Sequence, residues 1–269
     1  MESGDFLRVT ATDDPARWTM VVEPRLCSHL GALFGGNALG AAVTALERTT
    51  GRPCAWASAQ FLSFATESEH LDIEVVVDVA GRHLTQARAT CRSSDRDVLR
   101  VSAALGRRSS ELAGRWSTFP DVPPPGECEL RPLPAASASR NGGNFELRTL
   151  QPLVRPGLRS DDPRRSRAGL WIRLRAGAID TDAAWSSVLG DFAFQGPMFA
   201  LGMQLTGSSL DNNVRHLATV RTEWVLLDVE THAVVDGLGH CTTRLFAECG
   251  TLIGVASQTN MLRPAPDEL

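Results

Sequence analysis

The sequence predicts an α+β fold built as two tandem units, and three observations carry that prediction. A helix-forming run followed by a meander of strand-like runs occurs twice, in the same order. Between the two copies, residues 119–139 hold Pro120, Pro123, Pro124, Pro125, Pro132 and Pro134, which break both helix and ladder. The 269 residues, 43% hydrophobic and 22% charged, are enough for two cores. The expected organisation is a first unit over 1–118, a proline-rich linker over 119–139, and a second unit over 140–265.

Each element follows from local pattern. Phe34-Gly35-Gly36-Asn37 opens a small-residue helix through about Thr49. An extended segment, Trp56–Phe64, comes next, then the alternating Leu71–Val77. Leu84–Arg92 and Val98–Leu105 complete the first meander, with Ser93–Asp97 as its turn. In the second half Asp182–Leu201 is the helix, expected to bend or split at Gly196-Pro197. Ser209–Val220 is extended, and Trp224–Val229 is a strand. Leu238–Phe246 and Leu252–Met261 form the remainder, turning at Glu248-Cys249-Gly250. Each sheet wraps one helix and keeps an edge that pairing of the two sheets would cover.

Several function classes are disfavoured by composition. Basic and acidic residues number 27 and 31, a net charge of −4, so no nucleic-acid partner is expected; the absence of Lys and Tyr is attributed to genome base composition. No apolar run approaches the length of a membrane span, and Met1-Glu2-Ser3-Gly4-Asp5 lacks a signal-peptide pattern; a cytoplasmic protein without a membrane partner is expected. Cys27, Cys54, Cys91, Cys128, Cys241 and Cys249 contain no C-x-x-C pair and read as reduced and structural. His29, His70, His83, His232 and His240 have no metal-ligand spacing, so no metal is expected. Gly237-Leu238-Gly239 is a turn entering a strand, and the absence of Gly-x-Ser-x-Gly disfavours a serine α/β-hydrolase.

Five short motifs, in order, resemble the acyl-CoA thioesterase II (TesB-like) family, whose members are double hotdogs. They are Leu33-Phe34-Gly35-Gly36-Asn37, Leu170-Trp171-Ile172-Arg173, Asp191 with Phe194, Ser209-Leu210-Asp211, and Ser257-Gln258. The departures are Asn37 where the family has Gln, a short segment before Ser209, and Asn212-Asn213-Val214-Arg215-His216 in place of an aromatic run. The resemblance implies a double hotdog in which Asp191, Ser209 and Gln258 are catalytic. Asp191 would take a proton from water, and Ser209 and Gln258 would hold that water. Backbone N–H groups at a helix start would meet the developing oxyanion.

The implied substrate is an acyl-CoA or acyl-carrier-protein thioester, of fatty or related acyl type, and the implied assembly a homodimer or higher homo-oligomer. Aligning the halves sets Asn37 opposite Asp191, Trp56 opposite Ser209, and about Ala104 opposite Gln258, so the first unit would carry a degenerate site. Phe192, Phe194, Met198 and Phe199 are core residues, of which one or two would line an acyl tunnel. Arg164, Arg165 and Arg167 form a solvated patch or a CoA-phosphate contact. Two other readings stay open: an enoyl-thioester hydratase or dehydratase using Asp211 and His216, and a non-catalytic acyl-thioester-binding protein.

Overall fold

The computed structural model describes residues 1–133, 135–153 and 162–265. Pro134 of the proline-rich segment and residues 154–161 of the second half therefore lie outside the described residues, as do 266–269. The first half contains helices α1 (Ser3–Leu7) and α2 (Gly35–Thr50) and strands β1 (Thr10–Ala11), β2 (Arg17–Val21), β3 (Cys54–Phe61), β4 (His70–Ala80), β5 (Thr85–Ser93) and β6 (Arg96–Leu105). After it come β7 (Glu129–Leu130), β8 (Phe145–Thr149), β9 (Arg167–Leu174) and the short β10 (Ile179–Asp180). The second half continues with α3 (Ala183–Gly190), α4 (Gln195–Leu201), β11 (Leu205–His216), β12 (Arg221–Thr222), β13 (Val225–Val235), β14 (Leu238–Ala247) and β15 (Leu252–Pro264).

Among the described residues thirteen strands form one sheet, in the order β1-β2-β4-β5-β6-β3-β11-β15-β14-β13-β9-β8-β7. The halves join where β3 and β11 pair antiparallel, Gln60 opposite Asp211 and Trp56 opposite Arg215. That junction turns two would-be edges into interior strands. In β13 the consecutive residues Val225, Leu226 and Leu227 are all buried, because the sheet is covered on both faces there. Helices cover one face. The other is covered by Phe119 and Val122, which pack with Trp171, Trp224 and Phe246. The proline-rich segment is thus laid along the second half, and its last extended piece, β7, pairs with β8.

The small residues of α2 set its distance from α3. A Cβ at Gly36 would lie 2.7 Å from the Val188 carbonyl oxygen, and one at Gly40 would lie 3.2 Å from that of Ala184. The helix ends at Gly51, whose φ of 65° places it in the left-handed region and whose N–H reaches the Glu47 carbonyl at 2.8 Å. Asp182 starts α3 by accepting the Trp185 N–H at 2.7 Å.

The second helix breaks earlier than its proline suggests. Between α3 and α4 the backbone tightens into a 3₁₀ turn at Asp191–Phe194, whereas Gly196-Pro197 lies within α4. Pro197 sits in the first turn of α4, where a missing N–H forfeits least. Gly196 is demanded by packing: a Cβ there would meet Val229 at 2.6 Å.

Candidate active site

The 3₁₀ turn delivers Asp191 into the space between α2 and the sheet. Its side chain is 2% exposed. One carboxylate oxygen, Oδ2, accepts the backbone N–H of Gly36, the second residue of α2, at 2.7 Å. The other, Oδ1, accepts from Ser209 Oγ at 3.1 Å, from Asn212 Nδ2 at 3.4 Å, and from Gln258 Nε2. Ser209 Oγ in turn accepts from Gln258 Nε2 at 2.8 Å and Asn260 Nδ2 at 3.3 Å, which completes its capacity of one donation and two acceptances. The three residues expected to act together are therefore within hydrogen-bonding reach of one another.

Two opposing effects act on the Asp191 carboxyl. Burial raises its pKa above the ordinary aspartate value; the donors from Gly36, Ser209, Asn212 and Gln258 oppose that rise, and the net direction is upward. The positive end of the α2 dipole also faces this carboxylate. Gln258 Oε1, Asn212 Oδ1 and Asn260 Oδ1 are buried without a donor, because the NH₂ groups of the same amides are committed to Asp191 or Ser209. The site thus sets one poorly solvated carboxyl beside acceptors for a hydrogen-bond donor.

Local irregularity explains how these side chains meet. The β11–β15 register shifts between Ser209 and Asp211, a bulge at Leu210. Beyond it Asn212, Val214 and His216 are buried, so the inward phase switches from odd to even positions. Strand β15 has no such break there, and Ala256, Gln258 and Asn260 alternate inward. Aromatic rings form the walls. Phe34 and Phe192 lie 5.1 Å apart between ring centroids, Phe192 and Phe145 5.3 Å. A Cβ at Gly35 would touch both Asp191 Oδ2, at 2.9 Å, and the Phe61 ring, at 3.1 Å.

Other sequence candidates fall elsewhere. Counting from the helix starts, Asp191 falls level with Val43, the ninth residue of α2, whereas Asn37 is the third. Asn37 instead ties α2 to neighbouring loops, donating to Leu26 O and Asn141 Oδ1, both at 2.9 Å. Asp211 and His216 are not brought together. Asp211 accepts the Thr259 N–H at 2.8 Å, and His216 bonds Ser186 Oγ and Thr219 Oγ1, both at 3.1 Å. Five residues of strand separate them by about 16 Å, on opposite faces. Burial, with a smaller contribution from Arg107, pushes His216 down to about 4.

Arg164 pairs with Asp162, Arg165 Nε bonds Ala200 O, and Arg167 pairs with Glu230. Phe192, Met198 and Phe199 are buried, Phe194 half-buried. Among the described residues no three His, Cys, Asp or Glu side chains converge as metal ligands. Sequence reasoning missed Gly36 N–H, Asn212 and Asn260. Asn260 carried a signal, two residues along the strand from Gln258; Asn212 is masked by the bulge.

The acyl-CoA thioesterase C-terminal domain family matches residues 125–262, just over half of the chain. No curated protein matches. Among solved structures, a candidate thioesterase from Novosphingobium aromaticivorans superposes with a TM-score of 0.82 at 28% identity, covering 95% of this chain and 98% of its own. A hot dog fold protein of unknown function from Alicyclobacillus acidocaldarius gives 0.82 at 17% identity, covering 98% of each chain. The TesB protein of Mycobacterium avium subsp. paratuberculosis gives 0.77 at 19%, covering 97% and 98%. The last two likenesses establish the fold. The chain accordingly belongs to the acyl-CoA thioesterase family marked by that C-terminal domain, and it is a thioester hydrolase of the hotdog fold.

Proposed function

We propose that the chain is a double hotdog, with units at 1–118 and 140–265 joined by 119–139, and that it hydrolyses a fatty or related acyl-CoA thioester through water activated by Asp191. The observation that carries this reading is the environment of Asp191. It is a buried carboxylate of raised pKa, fixed by four donors from α2, β11 and β15. A water that donates one hydrogen to an amide oxygen of Gln258, Asn212 or Asn260 would give its other proton to Asp191 as its oxygen attacks the thioester carbonyl. The C–O bond forms and the carbonyl π pair moves onto oxygen. Gly35 N–H, at the first position of α2 and without an acceptor among the described residues, is suited to meet that oxyanion. Collapse then breaks the C–S bond, and the proton on Asp191 passes to the departing CoA thiolate.

The first unit has Val43 where the second has Asp191, which supports one working site per chain. The mechanism as written uses no metal or cofactor. An acyl-carrier-protein thioester carries the same reacting group and is equally compatible. A cytoplasmic role in lipid metabolism, as a homo-oligomer, fits the exposed Val76, Val77 and Val79 of β4, which assembly would cover, and the absence of any helix able to cross a membrane among the described residues.

The test is thiol release from short to long, saturated and aromatic acyl-CoAs by the wild type and by Asp191→Asn. Loss of about 10²- to 10⁴-fold is expected, the usual worth of a positioned base. Undiminished turnover by the variant on every hydrolysed substrate would remove Asp191 from the mechanism.

A further inference from the structure

Arg131 is a half-buried cation that the proposed chemistry does not use. Its N–H donates to Leu147 O at 2.9 Å, continuing the β7–β8 pairing by one residue. Leu147 packs against the helix-side core, so the residue opposite it also faces inward. The guanidinium donates to Oε1 of Gln195, the buried first residue of α4. Gln195 follows Asp191 by four positions, one helical turn or about 5–6 Å along the axis.

The surroundings of Arg131 leave its charge uncompensated. Arg25, Arg148, Arg173 and Arg244, also only partly exposed, each pair with a carboxylate: Glu23, Glu146, Glu146 and Asp228. Arg131 has no such partner among the described residues, and burial alone holds its pKa below the ordinary arginine value. A buried cation is costly unless an anion meets it. Its other N–H groups and Gln195 Nε2 have no acceptor among the described residues, and they are not among the fully buried unpartnered polar atoms, so a ligand can reach them from outside.

We propose that Arg131 and Gln195 form a subsite for the carboxylate at the far end of an ω-carboxyacyl thioester. A planar guanidinium with free donors takes a carboxylate bidentately, and Gln195 Nε2 adds a third donor. Gln195, with Arg131 bonded to it, stands one turn beyond Asp191, a distance that a few methylenes span from a carbonyl held at Asp191. The phosphates of CoA lie a whole pantetheine arm from the thioester, on the leaving-group side, and do not answer this placement. The inference rests on the reading of Asp191 as the position of the thioester.

Binding of non-hydrolysable CoA thioethers separates the two claims, since it needs no turnover. The dissociation constants of ω-carboxyalkyl-CoAs, from three to seven methylenes, are compared by calorimetry with those of alkyl-CoAs of equal length, on wild type and Arg131→Met. The wild type is expected to prefer the best carboxylated ligand by about ten- to a hundredfold, the worth of a hydrogen bond to a charged group. Arg131→Met should reverse that preference; folding is checked by thermal unfolding, and a swap of this unpaired cation for Met should not lower stability. A wild type that binds the alkyl series as tightly as, or tighter than, the carboxylated series overturns the subsite, whether or not the variant folds. Failure of Asp191→Asn to reduce thiol release, with the carboxylate preference intact, would instead sink the base assignment alone.

Discussion

Replacing Gly36 by Ala sets two effects of opposite sign against each other. Helix propensity favours Ala over Gly by up to about 1 kcal/mol. Against it, the added Cβ would lie 2.7 Å from the Val188 carbonyl oxygen, 2.8 Å from Asp191 Cβ and 3.0 Å from the Phe34 ring. Carbon atoms pack at about 3.5–4.0 Å, so α2 and the α3–Asp191 segment must part by most of an ångström. Two of the three obstacles are backbone or Cβ atoms that no rotamer change can move. Overpacking of this kind costs about 1–3 kcal/mol, and after the propensity gain a net destabilisation of about 1–2 kcal/mol is expected. That corresponds to a fall in Tm of roughly 2–8 °C.

Turnover should suffer more than stability. The same displacement lengthens the 2.7 Å bond from Gly36 N–H to Asp191 and shifts the carboxylate proposed as the base. A misplacement near 1 Å costs about 10²-fold. Thermal unfolding by circular dichroism, with kcat measured well below the transition, reads both quantities. Gly51→Ala is the control: its left-handed φ of 65° costs about 1 kcal/mol, but nothing lies within 4 Å and turnover should not change. A Gly36→Ala protein that unfolds no lower than wild type and keeps full turnover would refute the argument from close approach.

Other expectations concern titration and the remaining side chains. Because burial raises the Asp191 pKa, kcat/KM should rise with pH along a limb above the ordinary aspartate range; a limb near pH 4 would contradict it. Glu47, half-buried at the end of α2 and only partly relieved by the Cys54 N–H, is pushed up by desolvation to about 7 from 4.5. The folded protein therefore holds this proton more tightly than the unfolded chain, so the stability is present below pH 4.5 and lost as pH rises through 7. The loss is of the order of 3 kcal/mol. Urea unfolding of Glu47→Gln should match wild type near pH 4 and exceed it at pH 8; parallel curves at both pH values would contradict that sign. Gln258→Ala and Asn212→Ala should each lower thiol release by about 10-fold or more through loss of contacts to Asp191. His216→Ala should unfold more easily, having lost Ser186 and Thr219, while still releasing thiol; abolition of release would restore His216 as an acid.

The strands were legible because alternation and turn residues are local. Leu71–Val77, Val98–Leu105 and Leu238–Phe246 all fall inside the observed β4, β6 and β14. The helix break was not, because Gly196-Pro197 looks like a breaker until β13 is known to lie against Gly196. Asp191, Ser209 and Gln258 were named together through family resemblance. Ser209 and Gln258 converge through the pairing of β11 with β15, although 49 residues of chain separate them. Asn212 escaped because the bulge at Leu210 inverts the two-residue period between it and Ser209. Arg131 was hidden for another reason: its inward direction depends on β7, two residues of strand inside a proline-rich run.

The bond from Gly36 to Asp191 spans 155 residues and joins an N–H of the first half to the carboxylate of the second. In a site shared between separate subunits, these two groups would meet only by association, and dilution would disassemble the catalyst. Here they are tethered, so formation of the site is a first-order event with a high effective concentration whatever the protein concentration. Tethering also removes the obligation of symmetry. Each half can drift alone, since a change in one is not imposed on the other. A nanomolar solution should therefore retain its specific activity.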